Sequence, residues 1–389
     1  MKDEIPKYIT QLKYFKKVII SCCLSALTLS ACSSPQATSL SNSTPEKQQT
    51  TESTPSTMLE PDLTLYPVEV DGKWGYINAT GEMVIPPQFH QALDFSEGLA
   101  LISLKLEGKW GYIDTTGNIV IPPQFDDAFY FSEGMAKVVI DKKVGYINKT
   151  GDLVIPPQFE PIYSRSFSEG LAVVQLESGM GYINKAGQMV IPATIPIAHD
   201  FKEGLALVNG VDGFWGQHGF INKQGKPAFR RSREILSITR RPFSEGLVPI
   251  STERGRGYMD RKGQIAIEGQ FYNALNFSEG LAQVETGFVP ATIAERNADI
   301  KGKWGYIDKT GRIVIEAEFE DTQPFSEGLA AVSKDGDSWG YVDKKGKMVI
   351  PPKFDYGNPF IGGLARACTD IHKCGYINKT GEFVYIDPD

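Results

Sequence analysis

The amino-acid sequence predicts an all-β protein, a tandem array of about nine three-stranded antiparallel units of roughly 35 residues each. Three observations carry this. A Gly-aromatic pair recurs at Gly75-Tyr76, Gly111-Tyr112, Gly145-Tyr146, Gly181-Tyr182, Gly219-Phe220, Gly257-Tyr258, Gly305-Tyr306, Gly340-Tyr341 and Gly375-Tyr376. The steps between the pairs are 36, 34, 36, 38, 38, 48, 35 and 35 residues, so one unit holds a sizeable insertion. Around each pair, apolar and polar residues alternate over short runs rich in Val, Ile and Tyr, bounded by Gly and Pro, which is the period of strands. Every unit also carries an Asn or Asp followed three residues later by Gly, as at Asn78 and Gly81 or Asp343 and Gly346.

In the first complete copy, 99–104 reads as the first strand, 109–114 as the second and 118–121 as the third. The Asx opens the second turn, where its side chain can accept a backbone N–H, and the Gly closes it in the left-handed conformation. One Asx per turn does not gather the oxygen ligands that calcium needs. Pro pairs such as Pro86-Pro87 and Pro351-Pro352 end the third strand, because proline cannot donate to a ladder. A spacer then crosses to the next unit and ends in Phe-Ser-Glu-Gly-Leu-Ala or a variant. Phe95, Phe131, Phe167, Phe201, Phe243, Phe277, Phe325 and Phe360 read as plugs between units. The Glu stands in seven of eight spacers and becomes Gly362 in the last. A carboxylate duplicated in equal surroundings suits a turn, where it bonds a backbone N–H, better than acid-base catalysis. A propeller usually closes by sharing strands between the chain ends. Here 65–70 supplies a complete first strand and the chain stops after a third strand at 383–386, so an open solenoid or superhelix is expected, with a closed propeller-like ring as the alternative.

Lys-Trp-Gly-Tyr-Ile stands at 73–77, 109–113 and 303–307, and with the Asx-x-x-Gly turn and the Pro pairs the units resemble the bacterial WG (KWG) repeat over about 325 residues. The resemblance implies a repeat scaffold and brings no catalytic residues with it. The Trp gives way to Val144, Met180, His218, Arg256 and Cys374 in other units, which argues against a Trp ligand platform.

The amino-terminal 31 residues hold Lys13, Lys16 and Lys17 and then an apolar run from Val18 to Leu29, too short to span a bilayer. Leu29-Ser30-Ala31-Cys32 looks like a bacterial lipobox, which implies a leader over 1–31 and a lipidated Cys32 that anchors the chain in the cell envelope. Ser33 in place of Asp favours the outer membrane in a diderm host. Residues 32–63 are Ser-, Thr- and Pro-rich and are expected to form a disordered tether with a reach of about 30 Å. The repeat domain then occupies 64–389.

Without 1–31 the chain has 35 basic and 45 acidic side chains, a net of −10, which excludes a general binder of nucleic acid or anionic membrane. Cys22 and Cys23 leave with the leader. Cys368 and Cys374 remain, and outside the cytoplasm two thiols flanking a short hairpin are expected to form a disulfide. Zinc would need more ligands than the nearby His372.

The repeat breaks its pattern twice. Residues 223–262 hold eleven Lys or Arg against four acids, a +7 window that leaves −17 elsewhere. Arg230, Arg231, Arg233, Arg240 and Arg241 in it are candidate anion-binding residues, since guanidinium forks suit carboxylate and phosphate. The same Arg side chains could instead pair with Glu of neighbouring units. The insertion at 286–301 lengthens one hairpin and is a second candidate site. No nucleophile elbow, phosphate loop, HExxH or paired-Cys zinc motif is present, and His90, His199, His218 and His372 lie in separate units. No metal or cofactor is expected. The leading expectation is a binding or scaffold lipoprotein with a protein or anionic glycan partner and no enzymatic activity. The alternative is an envelope glycan hydrolase or accessory in which one Glu differs from its copies.

Overall fold

The computed structural model describes residues 64–210, 218–229, 232–287, 302–369 and 373–388. The expected leader, Cys32 and the tether lie outside the described residues, as do Arg230, Arg231, His372 and nearly all of the 286–301 insertion. The chain divides after Leu59, and Glu60–Asp389 forms one compact unit.

Among the described residues the strands form nine antiparallel sheets, each a meander of strands consecutive in the chain, arranged as a nine-bladed β-propeller. Blade 1 contains Tyr66–Val70, Lys73–Ile77 and Met83–Phe89. Blade 2 contains Gln91–Ser96, Leu99–Ser103, Trp110–Asp114 and Ile119–Phe125. The spacer expected only to cross between units thus folds as a fourth, inner strand. Blades 3 to 9 span 127–159, 160–195, 197–221, 237–271, 273–319, 321–354 and 356–386. The inner strands of blades 2 and 3 touch one another, and in the other blades the inner strand packs on the middle strands of the blade before it, while the Pro-bearing strands form the outer rim.

Each recurring residue has a physical reason. In the third strand, a Cβ on Gly75 would lie 2.4 Å from the Ile85 carbonyl oxygen, where the outer strand bulges against it. The Tyr that follows is buried and reaches into the next blade. Its hydroxyl donates to the carbonyl two residues ahead of that blade's Phe, from Tyr76 to Leu93 at 2.8 Å, Tyr146 to Arg165 at 2.7 Å and Tyr306 to Gln323 at 2.7 Å. A buried phenol needs such a partner, because an unpaired one costs about 1–3 kcal/mol. The ring meets the next blade's Phe at 4.9 Å between centroids for Tyr76 and Phe95, and 5.0 Å for Tyr112 and Phe131. The Phe residues therefore plug the junctions between blades, buried except for half-buried Phe95. The Asx turns form as expected: Asn78 Oδ1 accepts from the amides of Thr80 and Glu82, each at 3.0 Å, and Gly81 has φ of 87°.

The ring is closed, which corrects the expectation of an open array. Tyr376 of blade 9 repeats the inter-blade bond and donates to the Pro67 carbonyl of blade 1 at 3.1 Å. Blade 1 shows no inner strand among the described residues, and Tyr66 supplies a ring instead. Its centroid lies 5.2 Å from that of Tyr376, and its hydroxyl donates to the carbonyls of Gly362 at 2.5 Å and Ile361 at 3.1 Å. The corresponding position is Ala100, Ala136, Ala172, Ala206, Val248, Ala282, Ala330 and Ala365 in the other blades. Tyr66, Val68, Ile77 and Leu364 bury a core across the seam. Closure therefore needs no shared strand, because one aromatic side chain fills the space that a Phe fills elsewhere.

Candidate functional site

The antiparallel meander gives the ring two unlike faces. Turns between first and second strands, and between third and outer strands, lie on one face. Hairpins between second and third strands lie on the other.

The first face is uniform. Glu97, Glu133, Glu169, Glu203, Glu245, Glu279 and Glu327 occupy the left-handed region with φ from 52° to 56°, each followed by a Gly of positive φ, so both central residues meet the demand of a tight hairpin turn. Each carboxylate accepts from backbone amides of the following blade's turn, as Glu97 does from Glu133 and Gly134 at 2.6 and 2.9 Å, and Glu327 from Gly363 at 2.9 Å. The bonded amide is in the next unit rather than in the same turn. A Lys beside the next blade's Asx completes the stitch: Lys149 with Glu97, Lys185 with Glu133, Lys223 with Glu169, Lys309 with Glu245, Lys344 with Glu279 and Lys379 with Glu327, at 2.9–3.4 Å. Burial works against the Glu279 carboxylate, but the Lys344 ammonium and the amides of Gly328 and Glu327 outweigh it and hold its pKa below the usual value.

The second face is variable. Its hairpins run from the two-residue Asp71-Gly72 turn to connections whose tips, 211–217 and 288–301, lie outside the described residues. In blade 9, Cys368 and Cys374 stand opposite one another, as Ser333 and Trp339 do in blade 8, and are joined by a disulfide.

The inner wall is charged on one side. Lys137 is 7% exposed, donates to the Ser164 carbonyl at 2.9 Å and lies 3.5 Å from the centre of the Phe129 ring. Burial pulls its pKa down to about 8, opposed by Asp127 and Asp200 and aided by Arg165. Arg165 of blade 4 pairs with Asp200 of blade 5 at 3.3 Å. The Asp200 side chain is 41% exposed, yet its Oδ1 is buried and without a hydrogen-bond partner. The surrounding protein desolvates this carboxyl and raises its pKa, while Arg165 pulls it back. Burial lowers the pKa of His199, and Arg165 and Arg240 lower it further, with Asp200 opposing them. On the neighbouring wall, desolvation raises the carboxyls of Asp94 and Asp127.

The structure separates the Arg window instead of gathering it. Arg240 and Arg241 are exposed on the inner segment of blade 6, with Arg240 near His199. Arg233 is exposed next to Ser232, whose amide bonds the Gly263 carbonyl. Arg256 bonds Ser251 within the blade 6 hairpin, and Arg261 stands at a stitch position on the uniform face. Arg165, Lys137 and Asp200, which the sequence gave no reason to group with Arg240, share its wall. Among the described residues no three His, Cys, Asp or Glu side chains converge as a metal set.

A family model for the WG containing repeat matches residues 74–109, 110–143, 145–178, 180–215, 257–287, 304–336 and 339–370, more than half of the chain. The chain belongs to the WG containing repeat family. The gap at 216–256 in these matches falls on blades 5 and 6, where the Arg residues enter the wall. No curated protein matches the chain significantly. Among solved structures, a eukaryotic initiation factor is 11% identical with a TM-score of 0.54, covering 84% of this chain and 98% of the other, which supports the propeller fold alone. BamB from Moraxella catarrhalis overlaps at a TM-score of 0.35 and 11% identity, covering 82% of this chain and 95% of its own, and carries no argument.

Proposed function

We propose that this WG-repeat protein is a binding scaffold of the bacterial cell envelope, lipidated at Cys32 and tethered through 32–63, that holds a protein or anionic glycan partner. The division of the ring into a uniform face and a variable face carries the reading. Repeated stitches commit the first face to holding blades together, which leaves the hairpins and the inner wall free to diverge. Divergent loops on a rigid frame are the usual place of recognition. We read the chain as a binder and not a hydrolase, because all seven Glu residues are held by amides of the following blade's turn and six of them also by a Lys, an arrangement that serves the blade junctions rather than acid-base work. In this reading the protein sits in the outer membrane of a diderm host.

The test is capture from envelope extracts with the mature chain, beside a variant in which 211–217 and 288–301 are replaced by two-residue turns. The reading expects a partner that the wild type captures and the variant does not. Equal capture by both would overturn the assignment of the variable face. Labelling with a palmitate analogue is expected on the wild type and lost in Cys32→Ala; equal label on both would remove the anchor.

A further inference from the structure

Blade 9 closes its variable-face end with a covalent bond where other blades use packing. In blades 1 to 4 and 6 to 8 the residue at the Cys374 position faces an apolar residue at the end of the outer strand, as Trp74 faces Phe89, Val144 faces Phe159 and Trp339 faces Phe354. The outer-strand ladder of blade 9 covers only Phe383 to Ile386 and sets no apolar residue against Cys374. Cys374 faces Cys368 instead and is bonded to it. All four strands of the blade are tied together at this point. The Cys368 carbonyl accepts from the Asp355 amide beside the inner strand at 2.7 Å, and the Cys374 carbonyl from the Asp387 amide beside the outer strand at 2.8 Å. Both cysteines are half-buried, which leaves the bond within reach of a small thiol.

The same two strands carry the seam. Tyr376, two residues beyond Cys374, packs on Tyr66 and donates to the Pro67 carbonyl. Arg366, two residues before Cys368, lies over the Tyr376 ring at 5.0 Å and holds Asp387 through both terminal nitrogens. Residues two apart on a strand share a face, so the register of the cysteine pair sets where Tyr376 and Arg366 point. No Glu stitch backs this junction, since Gly362 stands at the Glu position. We propose that the Cys368–Cys374 disulfide is a reducible clasp on ring closure, and that its opening by a dithiol loosens the seam between blades 9 and 1. One thiolate of the dithiol attacks one Sγ, and the S–S bond breaks with its electron pair leaving on the other Sγ, which takes a proton. The second thiolate then attacks the dithiol's own sulfur in the mixed disulfide and releases the remaining cysteine as a thiol. Two electrons and two protons pass to the chain, and the dithiol leaves oxidised.

The test is hydrogen exchange of the full chain, oxidised and after dithiothreitol, beside a variant carrying Cys368→Ser and Cys374→Ser. Reduction is expected to quicken exchange about tenfold or more over 66–89 and 356–386, the scale set by the loop-closure entropy of so short a loop. It should leave 127–195 unchanged and reverse on reoxidation. The double variant should show the fast seam in both conditions and ignore the reductant, although Cys22, Cys23 and Cys32 remain in it. Faster exchange confined to 366–376, with 66–89 unmoved, would overturn the proposal, because the bond would then hold only its own hairpin. So would equal quickening in every blade, no change on reduction, or the same response to dithiothreitol in the double variant. The wild-type comparison decides the matter alone if the double variant does not fold. The scaffold reading does not depend on the clasp.

Discussion

The junction between blades 8 and 9 and the junction between blades 9 and 1 hold the same ring together by different means. At the first, Glu327 accepts from Gly363, Lys379 pairs with Glu327 at 3.1 Å, and Ser326 donates to the Phe360 carbonyl at 2.5 Å. At the second, the Glu, Lys and Ser positions are Gly362, Ala79 and Ile361. A Cβ on Gly362 would lie 2.6 Å from Thr64 Cγ2 and 2.7 Å from the Tyr66 hydroxyl, so no carboxylate fits there. Blade 1 is bare on its other side too, with Leu63 and Thr115 at the Glu and Lys positions. At six of the remaining seven junctions a Glu pairs with a Lys, and at the seventh the sequence sets Arg261 at the Lys position of the blade that follows Glu203. The ring is stitched by polar contacts where repeats were copied and sealed by apolar packing where the ends meet.

The largest effect that separates the two kinds of junction is expected at Tyr66. Tyr66→Ala removes a ring packed on Tyr376 and leaves a cavity in the seam core, and should cost about 3–5 kcal/mol. Hydrogen exchange should then open 66–89 and 356–386 before the stitched blades. Uniform loss across all nine blades would show that the seam is no weaker than any other junction.

A smaller cost attends the stitched side. Glu169→Ala removes the acceptor for Gly204 and the partner of Lys223. Both groups are partly exposed, so the expected loss is about 1–2 kcal/mol. Gly362→Glu is expected to destabilise the seam, since the added side chain meets Tyr66, whereas a stabilising effect would mean that the missing stitch is an accident of sequence. Both variants are read by thermal denaturation.

Acid should narrow the contrast. The folded pKa of Glu279 is depressed, so the stability it contributes is complete above the unfolded pKa near 4.5 and is lost as pH falls through the lower folded value. Exchange at the blade 7 to 8 junction should therefore quicken below about pH 4.5 while the seam, which has no such carboxylate, changes little. Equal acid sensitivity at both would contradict the division. The smallest effect is expected from Lys223→Ala, under about 1 kcal/mol and fading with salt, because exposed ion pairs are weak and screened.

The meander, the Asx turns and the Phe plugs were legible because strand period, turn chemistry and burial are local and recur nine times. The inner strand was not, since Gln91–Ser96 makes an irregular ladder with Leu99–Ser103 and carries no clean alternation. Closure left one readable sign: the Ala of the second strand becomes Tyr66 in blade 1 alone. The stitch left another. Within the chain, Glu is absent from just the two turns whose following blades lack the Lys or Arg, a pairing visible without coordinates. The charged inner wall was only half legible. Arg240 and Arg241 stand out in a basic run, whereas Arg165, His199 and Asp200 come near Arg240 through the packing of successive blades, which sequence distance hides.

The closed ring is tested most directly by small-angle scattering of residues 60–389 beside the same chain carrying Tyr66→Ala. A sealed ring predicts a compact wild type with a radius of gyration not far above the ~20 Å of a globular chain of this length, and an expanded variant if the seam parts. A wild type already elongated, with a distance distribution trailing well beyond that of the ring, would contradict closure and restore the open array.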